Sequence, residues 1–407
     1  MPLKQRLRAA GLEILRFTCA HLPQPRRSRR ILLDCSGSAV AATYLEDLRQ
    51  VFADDPRLEF YKFVRPETSA SDRERCLAVL NCPEMPYRKT KYYPWDLIVM
   101  ADHPDLHKEI EYRACHGVLR IPHGVGGKEV DGHDYLYGPR LYGKNGRLRY
   151  SRIFESSESR RARFVAANPD LRGVISLVGD LRIDKLVQAS TRVLSRGGEK
   201  VRPSVIIASS WSENNLFENG GRELLAEAAG LMDQYFFVLR PHPHMLKSTA
   251  TGDWKAFFRE QQKLGFSFSP PADDLGWLLA AATVIICDDL SSLVLYAAAL
   301  GKRIIIVPSG SSQIPADSFP ARLTRIVPNL TRPGQLRELL AAAMQSDPVA
   351  ELASLSAEIN SRPGESSRLV RSEFYRLLNF TPLHSTPGSA HPAREQTLPE
   401  NAATPLR

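Results

Sequence analysis

Short apolar runs alternate with amphipathic stretches along most of the chain. Strands buried on both faces of a parallel sheet are continuous apolar segments, and the helices between them are apolar on one side only. Runs of the first kind stand at 31–40, 58–64, 95–102, 117–122, 173–180, 202–210, 235–244, 282–292 and 302–310. This alternation predicts an α/β protein with parallel sheets.

Amphipathic stretches predict helices between and after these strands, at 41–52, 71–80, 223–232, 253–265, 275–282, 291–301, 333–344 and 366–380. The pattern is repeated on both sides of a Gly-Gly-Glu-Lys segment at 197–200, and 407 residues exceed the usual size of one hydrophobic core. We therefore predict two Rossmann-like domains, residues 31–196 and 197–362, followed by a closing helix at 363–380. Two such domains predict a cleft, with ligands beyond the carboxyl ends of the strands.

The two termini differ from the rest in composition. Residues 381–407 contain five prolines and no apolar periodicity, which predicts a disordered tail. Residues 1–30 hold seven of the nine net positive charges, and leucines between these charges predict an amphipathic helix. Such a helix is typical of a segment lying on an anionic membrane surface, although a solvated helix packed on its own domain has the same pattern.

Cysteine usage and hydropathy indicate the compartment. The six cysteines have no paired spacing, and no apolar run approaches the roughly 20 residues that cross a bilayer. Glu13 and Arg16 interrupt the apolar part of the N-terminal segment, which argues against a secretory signal. The arginine run beside it lacks interleaved aromatic residues, so we expect no nucleic-acid partner. These features predict a cytoplasmic protein, and the membrane-surface interpretation of the N-terminal helix would make it peripheral on the inner face of the membrane.

The first candidate site follows the predicted strand at 117–122. His123 stands at its end, and the turn after it is rich in glycine, with Gly124, Gly126, Gly127 and then Lys128. A neutral imidazole can accept a proton from an attacking hydroxyl, because its usual pKa of about 6.5 lies near working pH. A histidine that is simply hydrogen-bonded at a strand end would give the same sequence.

The second candidate is the segment "LRPHPH" that ends the strand predicted at 235–244. Arg240 and His242 alternate along an extended chain, so both side chains point to the same side. The neighbouring prolines keep the segment out of a helix. A guanidinium beside an imidazole suits an oxyanion such as a phosphate.

Two further motifs stand at predicted strand ends. In "CDDLSS", Asp289 precedes Ser291 and Ser292 at the start of a predicted helix, where free N–H groups favour anions. An ordinary helix N-cap explains these serines as well. In "VGDLRIDKL", Arg182 is a second candidate phosphate ligand, and an interdomain ion pair is its alternative.

Other chemistries have weaker support. The chain has no G-x-x-x-x-G-K-[ST] segment, which argues against a P-loop ATPase. His103 and His107 have a spacing that suits a metal on a helix, but Pro104 disfavours that helix. We therefore predict no metal and no bound cofactor.

The motifs "PHGVGGK", "GDLRIDKL", "SSW", "RPHP", "CDDLSS" and "LGKRIII", in this order between about 95 and 310, resemble those of the CDP-glycerol glycerophosphotransferases. That family makes teichoic acids and capsule polymers. The resemblance implies a GT-B fold, with the acceptor on the N-terminal domain and the CDP-activated donor on the C-terminal domain. It also implies a peripheral membrane protein with a lipid-linked or oligosaccharide acceptor.

The resemblance also implies roles for the residues that match the motifs. His123 corresponds to the base that acts on the acceptor hydroxyl. His242 and Arg240 correspond to the pair that stabilises the donor pyrophosphate. The segment from Asp289 to Ser292 corresponds to a motif whose serines bind donor phosphate.

The function implied is transfer of glycerol phosphate, or of a related polyol or sugar phosphate, from a CDP-activated donor to a hydroxyl. A GT-B glycosyltransferase or a relative of the UDP-N-acetylglucosamine 2-epimerases is the nearest alternative. The sequence Ser291-Ser292-Leu293 lacks the glycines of the epimerase donor loop, which favours the phosphotransferase. An inactive membrane-bound scaffold that keeps the fold is a further alternative.

Overall fold

The computed structural model describes most of the chain from residue 28 to residue 380. The described residues are 11, 14, 28–35, 39–90, 93–101, 116–121, 129–130, 133–134, 141–142, 146–195, 202–210, 215–242, 245–246, 253–270, 275–289, 291–308, 319–332, 334–346 and 350–380. Several predictions lie outside them: the N-terminal amphipathic helix, the linker at 197–200, the turn from His123 to Lys128 (which holds Gly124, Gly126 and Gly127) and the tail at 381–407.

The first half of the chain forms a six-stranded parallel sheet in the order β2-β1-β3-β4-β7-β8. Its strands are β1 (Arg29–Asp34), β2 (Leu58–Phe63), β3 (Leu97–Met100), β4 (Val118–Arg120), β7 (Arg152–Glu155) and β8 (Ile175–Leu177). Between β4 and β7, the strands β5 (Glu129–Val130) and β6 (His133–Asp134) form a separate antiparallel pair.

Helices flank this sheet because its strands are apolar on both faces. They are α1 (Ala39–Val51), α2 (Ala70–Val79), α3 (Tyr87–Thr90) and α4 (Glu158–Ala167), with a 3₁₀ turn at Pro169–Gly173. Leu45 and Leu48 of α1 pack with Leu33 and Val99 on one face. Phe164 of α4 belongs to the core on the other face.

The second half forms a five-stranded parallel sheet in the order β11-β10-β9-β12-β13. Its strands are β9 (Ser204–Ala208), β10 (Phe236–Arg240), β11 (Ser267–Phe268), β12 (Val284–Asp288) and β13 (Arg303–Val307). The helices from here on are α5 (Leu181–Ser195), α6 (Gly221–Ala229), α7 (Trp254–Lys263), α8 (Leu275–Ala281), α9 (Ser292–Ala299), α10 (Phe319–Ile326), α11 (Leu336–Gln345), α12 (Ala350–Ile359) and α13 (Ser366–Leu377).

The chain passes between the two halves twice. After β8 of the first sheet, α5 packs on the second sheet through Ile183 and Leu186. After α12 of the second half, α13 returns and packs on the first, where Phe374 lies against Phe52 with ring centroids 4.5 Å apart. Thus α5 follows the first half in the sequence but packs on the second, and α13 follows the second half but packs on the first.

The two passages contact each other at Asp184 of α5. Its carboxylate accepts hydrogen bonds from the backbone N–H groups of Gly364 (2.8 Å) and Ser366 (3.0 Å), just before α13. The side-chain amide of Asn360 also donates to it at 3.4 Å. Gly179 has φ +79°, and a Cβ there would lie 2.5 Å from the Ser366 hydroxyl oxygen, so the close approach requires glycine.

The predicted α/β class is confirmed, and several elements were not predicted, among them the strands β7 and β11 and the helices α4, α5, α10 and α12. The strand β7 was missed because it is short and has Arg152 and Glu155 at its ends. The helix α5 was missed because its first residues, 181–186, were interpreted as a phosphate-binding motif or an interdomain ion pair and not as the start of a helix. Within the described residues, no helix combines the length and the apolar character needed to span a membrane.

Candidate functional site

The carboxyl edge of the second sheet brings together most of the predicted donor-site residues. Ala208 of β9 is in register with Arg240 of β10 on one side and with Cys287 of β12 on the other. Since strands in a sheet are about 4.8 Å apart, Arg240 and Cys287 are roughly 10 Å apart across β9. His242 and Asp289 each follow two residues later, so both stand beyond the same edge.

The Arg240 side chain is buried and held in one direction. Its Nη1 donates to the Ser269 hydroxyl (2.7 Å) and to the Pro270 carbonyl (2.6 Å), which follow β11. A guanidinium has five N–H donors in a rigid plane, so two bonds at one nitrogen fix the orientation of the others. His242 is half-buried, and its carbonyl accepts from the Met245 N–H (3.0 Å).

Ser291 forms the N-cap of α9. Its hydroxyl accepts from the Leu293 N–H (3.3 Å), and its own N–H donates to the Asp288 carbonyl (3.2 Å). Ser292 is the first residue of the helix. The N-cap interpretation of these serines is therefore correct, and it is compatible with an anion site because the positive end of the helix dipole lies at this edge.

Asp288 is a structural member of the site that the sequence analysis did not single out. It is fully buried, and its Oδ2 accepts from the N–H groups of Ser210 (2.7 Å) and Leu216 (3.3 Å). Ser210 and Leu216 lie on either side of residues 211–214. These two hydrogen bonds therefore link the segment that follows β9 to the end of β12. Asp289, the residue chosen from the motif, is also buried, with 7% exposure.

The carboxyl edge of the first sheet holds buried charges that the sequence analysis missed. Asp34 ends β1 and forms a buried ion pair with Arg65 at 3.3 Å. Arg120 ends β4 and is fully buried. Met100 of β3, the strand between β1 and β4, is in register with Asp34 on one side and with Arg120 on the other. These charges lie within apolar runs, where alternating strand geometry rather than composition decides which side chains point inward. His123 follows Arg120 but lies outside the described residues.

Arg182 forms an ion pair with a residue of the first half. Its guanidinium lies 3.3 Å from the Asp47 carboxylate of α1, and Lys185 pairs with the same carboxylate. This is the interdomain ion pair that the sequence left as the alternative. The phosphate role of Arg182 stays a prediction.

The buried carboxyls of Asp288 and Asp180 lead us to expect a pH-dependent stability. Burial raises the pKa of each to about 6, whereas an aspartate in an unfolded chain has a pKa of about 3.9. Between these values the folded protein keeps protons that the unfolded chain has lost. The free energy of unfolding should therefore fall as the pH rises from about 4 to about 6, and this contribution should then be level.

Thermal unfolding of the wild type and of Asp288→Asn checks this expectation. From pH 4.5 to pH 6.5 the wild-type midpoint should fall relative to that of the Asp288→Asn variant, in which this carboxyl is absent. Asp233→Asn, at an exposed position, is the matched control and should keep the wild-type slope. Identical pH dependence of the midpoint in the wild type and in Asp288→Asn would contradict the assignment.

Comparisons with known proteins identify the fold. No family model and no curated protein matches the sequence. Among solved structures, the wall teichoic acid polymerase TagF aligns with 92% of this chain and 97% of its own, with a TM-score of 0.60 and 12% identity. The UDP-GlcNAc 2-epimerase of Neisseria meningitidis aligns with 86% of this chain and 100% of its own, with a TM-score of 0.54 and 11% identity.

A second epimerase supports the same conclusion. The UDP-GlcNAc 2-epimerase of Methanocaldococcus jannaschii covers 86% of this chain and 99% of its own, with a TM-score of 0.51 and 12% identity. These similarities extend over both halves of the chain. The protein therefore has the GT-B fold, with two Rossmann-like domains, as the motifs implied.

Proposed function

We propose that this protein transfers glycerol phosphate, or a related polyol or sugar phosphate, from a CDP-activated donor to a hydroxyl acceptor. The observation that carries the proposal is the carboxyl edge of the second sheet, where Arg240 ends β10 and His242 follows it. On the other side of β9, Ser291 caps the N-terminus of α9 after β12. Open parallel sheets bind ligands at this edge. The GT-B fold that the chain shares with TagF supports the proposal further.

The donor pyrophosphate would bind along this edge. The oriented guanidinium of Arg240 and the imidazole of His242 supply N–H donors, and the N-terminus of α9 supplies backbone N–H groups. Negative charge develops on the leaving phosphate during transfer. Donors fixed in advance stabilise that charge without further reorganisation, which is usually the largest single contribution to catalysis.

The reaction requires a base on the acceptor side, and we assign this role to His123. The acceptor oxygen forms a bond to the β-phosphorus, and the bond from that phosphorus to the bridging oxygen breaks. CMP leaves with the electron pair of that bond, and the acceptor proton passes to the His123 imidazole.

A second candidate is an enzyme acting on a UDP-sugar. The observation that favours it is the similarity in fold to two structures determined with UDP-GlcNAc. In this alternative the same edge binds a UDP-linked sugar. The product would then be a glycoside with release of UDP, or an epimer of the sugar nucleotide with no release.

Nucleotide release from a panel of donors tests the proposal. CDP-glycerol, CDP-ribitol and UDP-GlcNAc are each supplied to the full chain together with a glycerol-phosphate oligomer as acceptor, and CMP and UDP are measured. We expect CMP release from a CDP-polyol and loss of this release in Arg240→Ala. UDP release, or conversion of UDP-GlcNAc to an epimer, would support the second candidate. No turnover of any donor would favour the inactive scaffold.

A further inference from the structure

A tyrosine pair joins the two halves beside the proposed donor site. The hydroxyls of Tyr44 and Tyr296 share a hydrogen bond. Tyr44 lies in α1, the helix that follows β1, and Tyr296 lies in α9, the helix that follows β12. The contact therefore connects the helices that lead away from the carboxyl edges of the two sheets.

The pair lies in a polar cluster where α1, α5 and α9 meet. Asp180 precedes α5 and accepts from the backbone N–H groups of Arg182 (2.8 Å) and Ile183 (3.0 Å). The Arg182 guanidinium reaches Asp47 of α1 at 3.3 Å. Buried polar groups of this kind are stable only in arrangements that satisfy their hydrogen bonds.

The cluster keeps the two tyrosines in the protonated form. Burial raises the pKa of both phenols, and the Asp180 charge raises both further. A tyrosine hydroxyl is already protonated at neutral pH, and this shift extends that state to more alkaline pH, so one hydroxyl can donate while the other accepts. Because Tyr296 is only 3% exposed, water cannot readily replace a lost partner.

The position of Tyr296 relates this contact to the donor site. It lies five residues after Ser291, which is about 7.5 Å along the helix axis at 1.5 Å per residue. A short helix moves as a rigid unit, so a contact that holds Tyr296 also holds the N-terminus of α9. Tyr44 provides that contact from the half assigned to the acceptor.

We propose that the hydroxyl pair of Tyr44 and Tyr296 is a positioning contact that holds the donor-phosphate helix α9 at a fixed place relative to the acceptor half. The inference rests on the proposed function, because it takes the N-terminus of α9 as the donor-phosphate site. Neither tyrosine touches the reacting atoms in this proposal. Their effect is on the distance between attacking hydroxyl and phosphorus, and small misplacements of reacting groups reduce rates strongly.

The test is the kinetics of Tyr44→Phe, Tyr296→Phe and the double variant. We expect each single change to lower kcat about tenfold, and the double variant to be no slower than either single one, because both remove the same contact. The dissociation constant of CMP should stay within twofold of the wild type, because the nucleotide site lies within the second half. Wild-type kcat in both single variants, or a parallel loss of CMP affinity, would overturn the proposal.

A matched control separates positioning from general stability. The Tyr375 hydroxyl donates to Asp55 at 2.6 Å, within the core where α13 packs on the first half. Tyr375→Phe removes a comparable buried hydrogen bond away from α9. We expect it to lower the thermal midpoint as much as Tyr44→Phe does while leaving kcat unchanged. An equal loss of kcat in the control would show that the tyrosine pair acts through stability alone.

Amide hydrogen exchange keeps the inference testable if the wild type turns over no CDP-activated donor, which is the outcome that defeats the proposed function. Loss of the Tyr44 hydroxyl should accelerate exchange in residues 292–299 of the opposite half at least threefold. Tyr375→Phe should leave exchange in that segment unchanged. Unchanged exchange in Tyr44→Phe would overturn the positioning role whatever the activity.

Discussion

Replacing His242 with alanine is expected to lower kcat by about 10²- to 10³-fold. The imidazole follows the buried strand β10, two residues after the oriented Arg240, at the edge where the proposed reaction would develop negative charge on the leaving phosphate. Removing a hydrogen-bond donor that is fixed at that place should raise the free energy of the transition state more than that of the bound substrate. His123→Ala should have a similar effect, about 10²- to 10⁴-fold, because the acceptor hydroxyl would lose its base. Steady-state rates of CMP release measure both losses.

Folding must be intact for these losses to report on chemistry. His116→Ala is a suitable control, because His116 is a half-buried histidine before β4, away from the carboxyl edge. It should keep wild-type turnover, and all three variants should keep wild-type circular dichroism. If His242→Ala and His123→Ala both retain full turnover, the catalytic roles assigned here are wrong.

Replacing Asp184 with alanine should cause the largest loss of stability among the substitutions considered. Its buried carboxylate accepts from two backbone N–H groups, those of Gly364 and Ser366, and from the Asn360 amide. Alanine would leave these donors without an acceptor where the two chain passages meet. We expect the free energy of unfolding to fall by about 3 kcal/mol. Asn360 and Ser366 are buried, and each unpaired buried donor costs about 1–3 kcal/mol, whereas the N–H of the exposed Gly364 can bind water instead.

Urea denaturation measures this loss against a matched aspartate. Asp253 is exposed and accepts from the Ala256 N–H (3.0 Å) as the N-cap of α7. Asp253→Ala should cost about 1 kcal/mol, the usual effect of losing a helix cap. Equal losses for the two alanine variants would contradict the special role of Asp184 in joining the passages.

Much of the fold could be predicted because its strands have a strong local signal. The runs at 202–210 and 282–292 are rich in Ile and Val and form the inner strands β9 and β12 of the second sheet, and the similar run at 302–310 forms its edge strand β13. A strand buried on both faces must be apolar throughout, so its position is determined by composition alone. Short strands such as β7 and β11 have too few residues for such a signal.

The site was only partly predictable, because it depends on register. From the sequence alone, Asp288 and Asp289 are equivalent acids after an apolar run. The pleat of β12 within the sheet sets which carboxylate faces the N–H groups of Ser210 and Leu216. Likewise, the positions of Arg240 and His242 relative to α9 follow from the pairing of β10 and β12 with β9, which no local pattern specifies.

The sequence by itself determined the α/β class, the repeat of two strand-rich halves and the residues that follow the strands, because each depends on neighbours within a few positions. Only the tertiary structure decided that α5 and α13 pack on opposite halves, that Asp184 reaches the turn before α13, and that Tyr44 meets Tyr296. The members of each of these contacts are far apart in the chain. Their pairing depends on how whole helices fit on two sheets, and hydrophobic periodicity carries no information about which distant surface a helix will meet.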